Sequence, residues 1–336
     1  MIFLQNDTII EVKNLKKVFS KPVREPGLLG MFKSLFTNKK IETVAVNDVN
    51  FTIKEGEMVA YIGANGAGKS TTIKMMTGIL TPTKGEVLIL NEKPYDSKKR
   101  KDVLKHIGVV FGQRTQLWWD LPLIETFNLL KDVYDVSDED FKERFNYLKT
   151  TLELEKFLNS PVRTLSLGQR MRADLAASLL HNPKVLFLDE PTIGLDVLVK
   201  EHIITAIKEI NQKYHTTVIL TTHDMNDIVT LCNRVIIIDE GKILFDGALD
   251  EVKNRFGDNR TITMKAQSFD IKNFLKKYNV TADYTNGIVT ITFDALKYNS
   301  QELLNYAFSL GEIKDIAIRE NDISEVVKKI YEKKSF

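Results

Sequence analysis

Residues 63–70 read Gly-Ala-Asn-Gly-Ala-Gly-Lys-Ser, and this octapeptide limits the possible folds more than any other stretch of the chain. It fits G-x-x-x-x-G-K-[ST] at every fixed position, follows a strand-like run at 57–62 and opens a helix-like one. Glycines let the backbone wrap closely, so that successive N–H groups converge on a phosphate. The helix that follows adds its positive end. Lys69 is placed to reach the β- and γ-phosphates of a nucleotide, and Ser70 to ligate magnesium. The candidate nucleotide contacts are Gly63, Asn65, Gly66, Ala67, Gly68, Lys69, Ser70 and Thr71.

A second stretch, VLFLDE at 185–190, has four apolar residues that read as a buried parallel strand. Such a strand delivers Asp189 to its C-terminal edge, where open α/β sheets bind ligands. Alone it would be an ordinary strand end. Paired with the phosphate loop upstream, Asp189 becomes a candidate magnesium ligand acting through water. Glu190 becomes the candidate for polarising an attacking water.

Strand signals at 9–18, 46–63, 105–112, 185–189, 218–222 and 235–239 enclose a mainly helical region from about 123 to 181, and a helix follows at 198–212. This predicts an α/β core with a mostly parallel sheet and an inserted helical subdomain over about 115–180. The first domain is expected over 1–255. Within it, 21–42 is a basic insertion broken by Pro22, Pro26 and Gly27, with apolar groups at helical spacing over 28–36. It reads either as a surface loop carrying a short helix or as a patch for a membrane or membrane-embedded partner. From 258 to 336 the texture changes to strand, helix, two strands around an Asn286-Gly287 hairpin, helix, strand and a last helix at 322–333. That order predicts a small α+β, ferredoxin-like accessory domain.

The chain's 336 residues suit two domains at roughly 100–200 residues each. Lys and Arg number 47 against 45 Asp and Glu, a net charge of +2, so no nucleic-acid partner is expected on charge grounds. The one cysteine, Cys232, makes no internal disulfide and, with His106, His181, His202 and His215 lacking any ligand spacing, no zinc site. No run approaches the 18 or so apolar residues that cross a bilayer, and the N-terminus does not read as a secretory signal.

Further motifs occur in order, and with them the chain resembles the ATP-binding subunit of ABC transporters, with the P-loop NTPase fold. Leu165-Ser166-Leu167-Gly168-Gln169 is similar to the family's signature peptide, with Leu167 where the family usually has glycine. Gln113 resembles the Q-loop glutamine, Ile193-Gly194-Leu195-Asp196 the D-loop, and His223 in Thr-Thr-His-Asp the switch histidine. The resemblance implies Lys69, Gln113, Glu190 and His223 as catalytic residues, and Ser70, Gln113 and Asp189 at magnesium. It implies that Ser166, Gly168, Gln169 and Asp196 reach the ATP of a second subunit, and that Phe19 stacks on adenine. The expected assembly is a head-to-tail homodimer or heterodimer of ATPases, bound to a separate polytopic permease at the cytoplasmic face of the membrane as a peripheral subunit. FGQRTQLWWDLPLIETFNLL at 111–130 and the tail pattern IKDIAIRENDISEVVKKI resemble the ATPases of two-component bacterial exporters. Trp118 and Trp119 lie either in a groove for a partner helix or, at least one of them, inside the helical subdomain. The competing reading is a soluble ATP-driven switch acting on the ribosome or nucleic acid. It is disfavoured by the single cassette and by the absence of a long heptad run between 63 and 165.

Overall fold

The computed structural model describes residues 7–22, 40–112, 114–256 and 259–320. Two long strands, β1 (Thr8–Pro22) and β2 (Lys40–Lys54), precede β3 (Met58–Gly63), which runs through the phosphate loop into α1 (Lys69–Met76). Next come β4 (Lys84–Ile89), α2 (Arg100–Leu104), β5 (Ile107–Phe111), α3 (Leu123–Val133), α4 (Asp138–Thr151) and α5 (Leu167–Leu179). The central sheet is completed through β6 (Val185–Asp189), α6 (Val197–Tyr214), β7 (Thr217–Thr221), α7 (Met225–Leu231), β8 (Arg234–Asp239) and β9 (Lys242–Ala248).

The six-stranded sheet has the order β5-β6-β7-β3-β8-β9. β5 through β8 pair in parallel, and the register sets Phe111 beside Asp189, Asp189 beside Thr221 and Gly63 beside Ile238. Strands meant for such a sheet are covered on both faces and read as near-continuous apolar runs. Val185 to Leu188 are accordingly buried, and Asp189 emerges at the edge. The expected parallel core is present. A second sheet, β2-β1-β4, is antiparallel and was not anticipated from the sequence.

Helix α1 touches β2, β3 and β4, and its Ile73, Met75 and Met76 are fully buried in one cluster with Leu15, Val46, Val87, Ile89 and Phe187. Each such side chain contributes about 1.5–3 kcal/mol by leaving water. The phosphate loop is therefore anchored at both ends in a dry core. Tyr61 on β3 is completely buried, its phenol is pushed well above the usual range by burial, and its hydroxyl meets Thr72 Oγ1 at 3.3 Å.

The residues divide into two compact units between Asp246 and Gly247. The second begins within β9 and continues through α8 (Leu249–Phe256), β10 (Asn259–Phe269), α9 (Ile271–Lys277), β11 (Thr281–Thr285), β12 (Ile288–Asp294), α10 (Ser300–Phe308) and β13 (Gly311–Glu320). Its antiparallel sheet has the order β11-β12-β10-β13. Ile262, Met264, Val289 and Ile291 face Phe274, Leu303 and Ala307 in one core, while Thr261, Thr263, Thr290 and Thr292 occupy the alternate positions. Asp270 and Asn299 cap the two helices, and Asn286 and Gly287 take the positive φ values, 52° and 76°, that a two-residue hairpin turn requires.

The expected helices at 28–36 and 322–333 lie outside the described residues. Of the insertion 21–42, the ends are strand: Ser20 pairs with Glu42, Lys21 with Ile41 and Pro22 with Lys40.

Candidate functional site

The phosphate loop leaves β3 between two close backbone approaches. A Cβ on Gly63 would stand 2.4 Å from the Ile238 carbonyl, and one on Gly68, at φ 108°, would stand 2.5 Å from the Ala45 carbonyl. Gly66 also has a positive φ, 85°, but a Cβ there meets nothing within 4 Å, so this part of the loop opens outward. The loop closes through Ala67 N–H to Ala64 O at 3.1 Å, and Gly241 N–H donates to Ala67 O at 2.9 Å from the turn after β8. Thr72 then bonds Gly68 O through both N–H and hydroxyl, at 2.9 and 3.1 Å. Asn65 and Ser70 are exposed, and Thr71 is half-buried.

Lys69 folds back over the loop, donating to Gly63 O at 2.7 Å and Ala64 O at 3.1 Å. Burial holds its ammonium below the usual lysine range, while the Glu190 and Asp189 carboxylates pull in the opposite direction. That mutual field means the fold has brought the loop lysine and the acidic strand end together. One oxygen of Asp189 accepts from Thr221 Oγ1 at 2.6 Å. Glu190 takes φ 55°, and its N–H donates to Thr221 O at 2.9 Å. Its Oε2 lies 2.8 Å from His223 Nδ1, with His223 exposed and Glu190 half-buried. The sequence set Lys69, Asp189, Glu190 and His223 thus converges on the C-terminal edge of the parallel strands.

Ser166 caps α5 in a reciprocal box: Gln169 N–H donates to Ser166 Oγ at 3.2 Å and Ser166 N–H to Gln169 Oε1 at 2.9 Å. A Cβ on Gly168 would meet Val199 Cγ1 at 2.9 Å, and one on Gly194 would meet Leu167 Cδ2 at 3.2 Å. The segments Leu165–Gln169 and Ile193–Val199 of one chain therefore pack on each other. Asp196 caps α6 by accepting from Val199 N–H at 3.0 Å. The next residues, Val197 and Leu198, are 70% and 77% exposed.

Phe19 lies within β1 rather than after it, opposite Thr43, with Lys17 Nζ 5.5 Å from its ring centroid. Two residues along β2 from Thr43, the Ala45 carbonyl is the atom closest to Gly68, so the hairpin carrying Phe19 borders the phosphate loop. Gln113 lies outside the described residues; its neighbour Gly112 donates to Asp189 O at 2.8 Å. Trp118 and Trp119 are 43% and 49% exposed, so neither is packed inside the helical subdomain.

Sequence reasoning missed Thr221 and an ion-pair network behind His223. Lys200 on α6 pairs with Asp224 and, at 2.9 Å, with the buried Asp227, which also accepts from Thr192 Oγ1 at 2.6 Å. Asp224 beside His223 was the available signal; its partner lies too far along the chain to be read locally.

The residues fit a nucleotide phosphate with magnesium. The glycine cradle leaves no room for a Cβ at Gly63 or Gly68, and the Ser70 hydroxyl and the Asp189 carboxylate are oxygen donors of the kind magnesium takes. Among the described residues no cluster of three or more His, Cys, Asp or Glu could hold a metal unaided.

The family model described as ABC transporter matches residues 46–193. The energy-coupling factor transporter ATP-binding protein EcfA2 of Caldanaerobacter subterraneus subsp. tengcongensis is 37% identical, over 62% of this chain and 74% of that protein. Human cholesterol transporter ABCA5 is 32% identical over 70% of this chain, which spans 14% of that protein's length. The post-hydrolysis structure of the dimeric ATP-binding cassette MJ0796 bound to ADP and Pi superposes with a TM-score of 0.60 at 30% identity, covering 71% of this chain and 98% of that one.

Proposed function

Because this chain belongs to the ATP-binding proteins of ABC transporters, we propose that it hydrolyses ATP at a head-to-tail interface between two cassettes and so drives export through a separate polytopic permease. The observation that carries the reading is the meeting of Lys69, Asp189, Glu190 and His223 at one sheet edge, with His223 Nδ1 2.8 Å from Glu190 Oε2. In this reading the N–H groups of 63–71 and the Lys69 ammonium bind the β- and γ-phosphates. Ser70, Asp189 and Gln113 hold magnesium, which when bound neutralises charge on the phosphate oxygens. Glu190 accepts a proton from the water that attacks the γ-phosphorus, the bond to the bridging oxygen breaks, and ADP and phosphate leave. His223 orients the Glu190 carboxylate and faces the same phosphate. Ser166, Gly168 and Gln169 at the N-terminus of α5, with Asp196, complete the site of the opposite cassette, while Phe19 stacks on adenine.

ATP then acts as the ligand that closes the pair, and its hydrolysis reopens it. The dimeric MJ0796 cassette supports the pairing. No helix among the described residues is long and apolar enough to cross a membrane; in this reading the chain is a peripheral subunit at the cytoplasmic face, served by a separate permease. The antiparallel order of the second unit supports a ferredoxin-like accessory domain over about 258–336. A second reading, service of an energy-coupling factor transporter, is favoured by the relatives of that name.

Purification of the tagged full chain from detergent-solubilised cells tests the assignment. A polytopic protein without its own cassette, recovered in about equal amount, supports it, and transport by the reconstituted pair decides between the two readings. Recovery of ribosomes or nucleic acid alone rejects both and leaves the soluble switch.

A further inference from the structure

Asp174 lies two turns into α5 among Ala173, Leu175, Ala176 and Ala177, and it is only 5% exposed. Its Oδ1 accepts from Thr115 Oγ1 at 2.9 Å and from the backbone N–H of Gln116 at 3.1 Å. Gln116 returns a third bond, Nε2 to the Asp174 carbonyl at 3.2 Å, and Leu117 N–H donates to Thr115 Oγ1 at 3.1 Å. One turn earlier on the same face of α5, the Arg170 guanidinium stands 5.8 Å from the Trp119 ring. The other end of this segment is fixed to the reaction edge, since Gly112 N–H donates to Asp189 O at 2.8 Å and Phe111 pairs with Asp189.

We propose that Asp174 is a positioning residue: it staples the segment 114–119 to α5, so that the strand end holding Asp189, the exposed Trp118–Trp119 surface and Ser166 move together. This rests on the ATPase reading above. A helix that only needed to pack here would carry another alanine or leucine, because a buried ionisable group is costly. Burial pushes the Asp174 carboxyl up to about 6 despite its two donors and Arg170, which marks that cost. In return the carboxylate ties a loop to a helix across 58 and 59 residues of sequence, beside the Arg170–Trp119 contact on the same helix face.

Three full-length variants test the staple: D174A, D174N and T115V. Asparagine keeps an acceptor oxygen at the Oδ1 position, so D174N retains both bonds without the charge. Hydrogen exchange is followed in 63–71, 114–119 and 166–172, with and without a non-hydrolysable ATP analogue, alongside ATP turnover. In the parent chain the analogue protects all three segments. In D174A it protects 63–71 alone, kcat falls at least about five-fold and the ATP KM changes less than two-fold. D174N stays within two-fold of the parent, and T115V moves in the direction of D174A. The staple is overturned if folded D174A keeps all three segments protected with unchanged kcat, or if D174N loses as much as D174A. Should D174A fail to fold, T115V and D174N decide by the same criteria. If the analogue fails to protect 63–71 even in the parent, the ATPase reading fails instead. The staple is then read from unliganded exchange, where 114–119 and 166–172 must quicken together in D174A.

Discussion

Asp174 also gives the sharpest stability prediction. Its carboxyl titrates at about 6 in the folded chain because burial disfavours the charged form, against an ordinary 3.8. Between these values the folded chain holds a proton that the unfolded chain has released, so stability is greatest below about pH 4 and falls as pH rises towards 6. Above 6 the loss is complete. A difference of about 2 pH units at about 1.4 kcal/mol each amounts to about 3 kcal/mol. D174N is uncharged in both states and keeps the acceptor for Thr115 and Gln116, so at pH 7.5 it should be more stable than the parent by up to about 3 kcal/mol. For a unit of this size that is a rise of roughly 5–10 °C in Tm. Urea unfolding of both proteins at intervals from pH 4 to 7.5 supplies the difference curve, in which groups common to both cancel. The expected curve starts near zero at pH 4, climbs to pH 6 and then levels. A flat curve, or a parent more stable than D174N at neutral pH, would refute the burial argument.

Four other outcomes are expected. E190Q should lower phosphate release by about 100-fold or more while leaving nucleotide binding intact, so a nucleotide-held pair should accumulate on size-exclusion chromatography. G68A places a Cβ 2.5 Å from the Ala45 carbonyl at φ 108°; nucleotide affinity by fluorescence titration should drop at least about ten-fold as the loop gives way. Phe19→Ala should weaken ATP binding several-fold, whereas unchanged affinity rejects the stacking role. His181 stacks on Tyr134 at 3.8 Å, bonds Ile107 O at 3.1 Å and is pushed down to about 4 by burial. The unfolded chain therefore takes up a proton first as pH falls below about 6.5, and native stability drops through the window from 6.5 to 4. H181F keeps the stack and lacks this slope, which urea midpoints at pH 4.5 and 7.5 would show.

The parts of the site legible in sequence are those in which chemistry and local geometry coincide. Gly63 to Ser70 had to be a strand-to-helix turn, and VLFLDE had to bring Asp189 to a sheet edge; both follow from runs of fewer than ten residues. The antiparallel sheet was not legible because its pairing is long-range and irregular. Ile10 pairs with Ile89, register shifts interrupt β1 near Asn14, and Asn14 and Asp48 sit at positive φ, so apolar alternation is broken. The same holds for Thr221 and Lys200: an ordinary strand threonine and a helix lysine gain their roles only when β7 pairs with β6 and α6 lies beside the His223 turn. In the second unit β10 to β13 and the helices between them were legible, since β11 and β12 alternate and Asp270 and Asn299 cap α9 and α10, whereas α8 was not read from the sequence.

Glu190 shows why such contacts matter more than the motif that reveals them. At φ 55° a glutamate occupies the left-handed region, which costs roughly 1–2 kcal/mol and persists only where neighbours over-determine it. Here Thr221 O receives its N–H at 2.9 Å, and Gly112 leaves the space beside its carbonyl, where a Cβ would come within 2.3 Å. The turn ends β6 one residue after Asp189 and sends the next carboxylate toward His223 instead of along the strand. Both flanking strands, β5 through Gly112 and β7 through Thr221, therefore fix the direction of one carboxylate. Because Arg114 N–H donates to Phe111 O at 3.0 Å, the segment held by Asp174 is also tied to the strand end that lies beside Asp189.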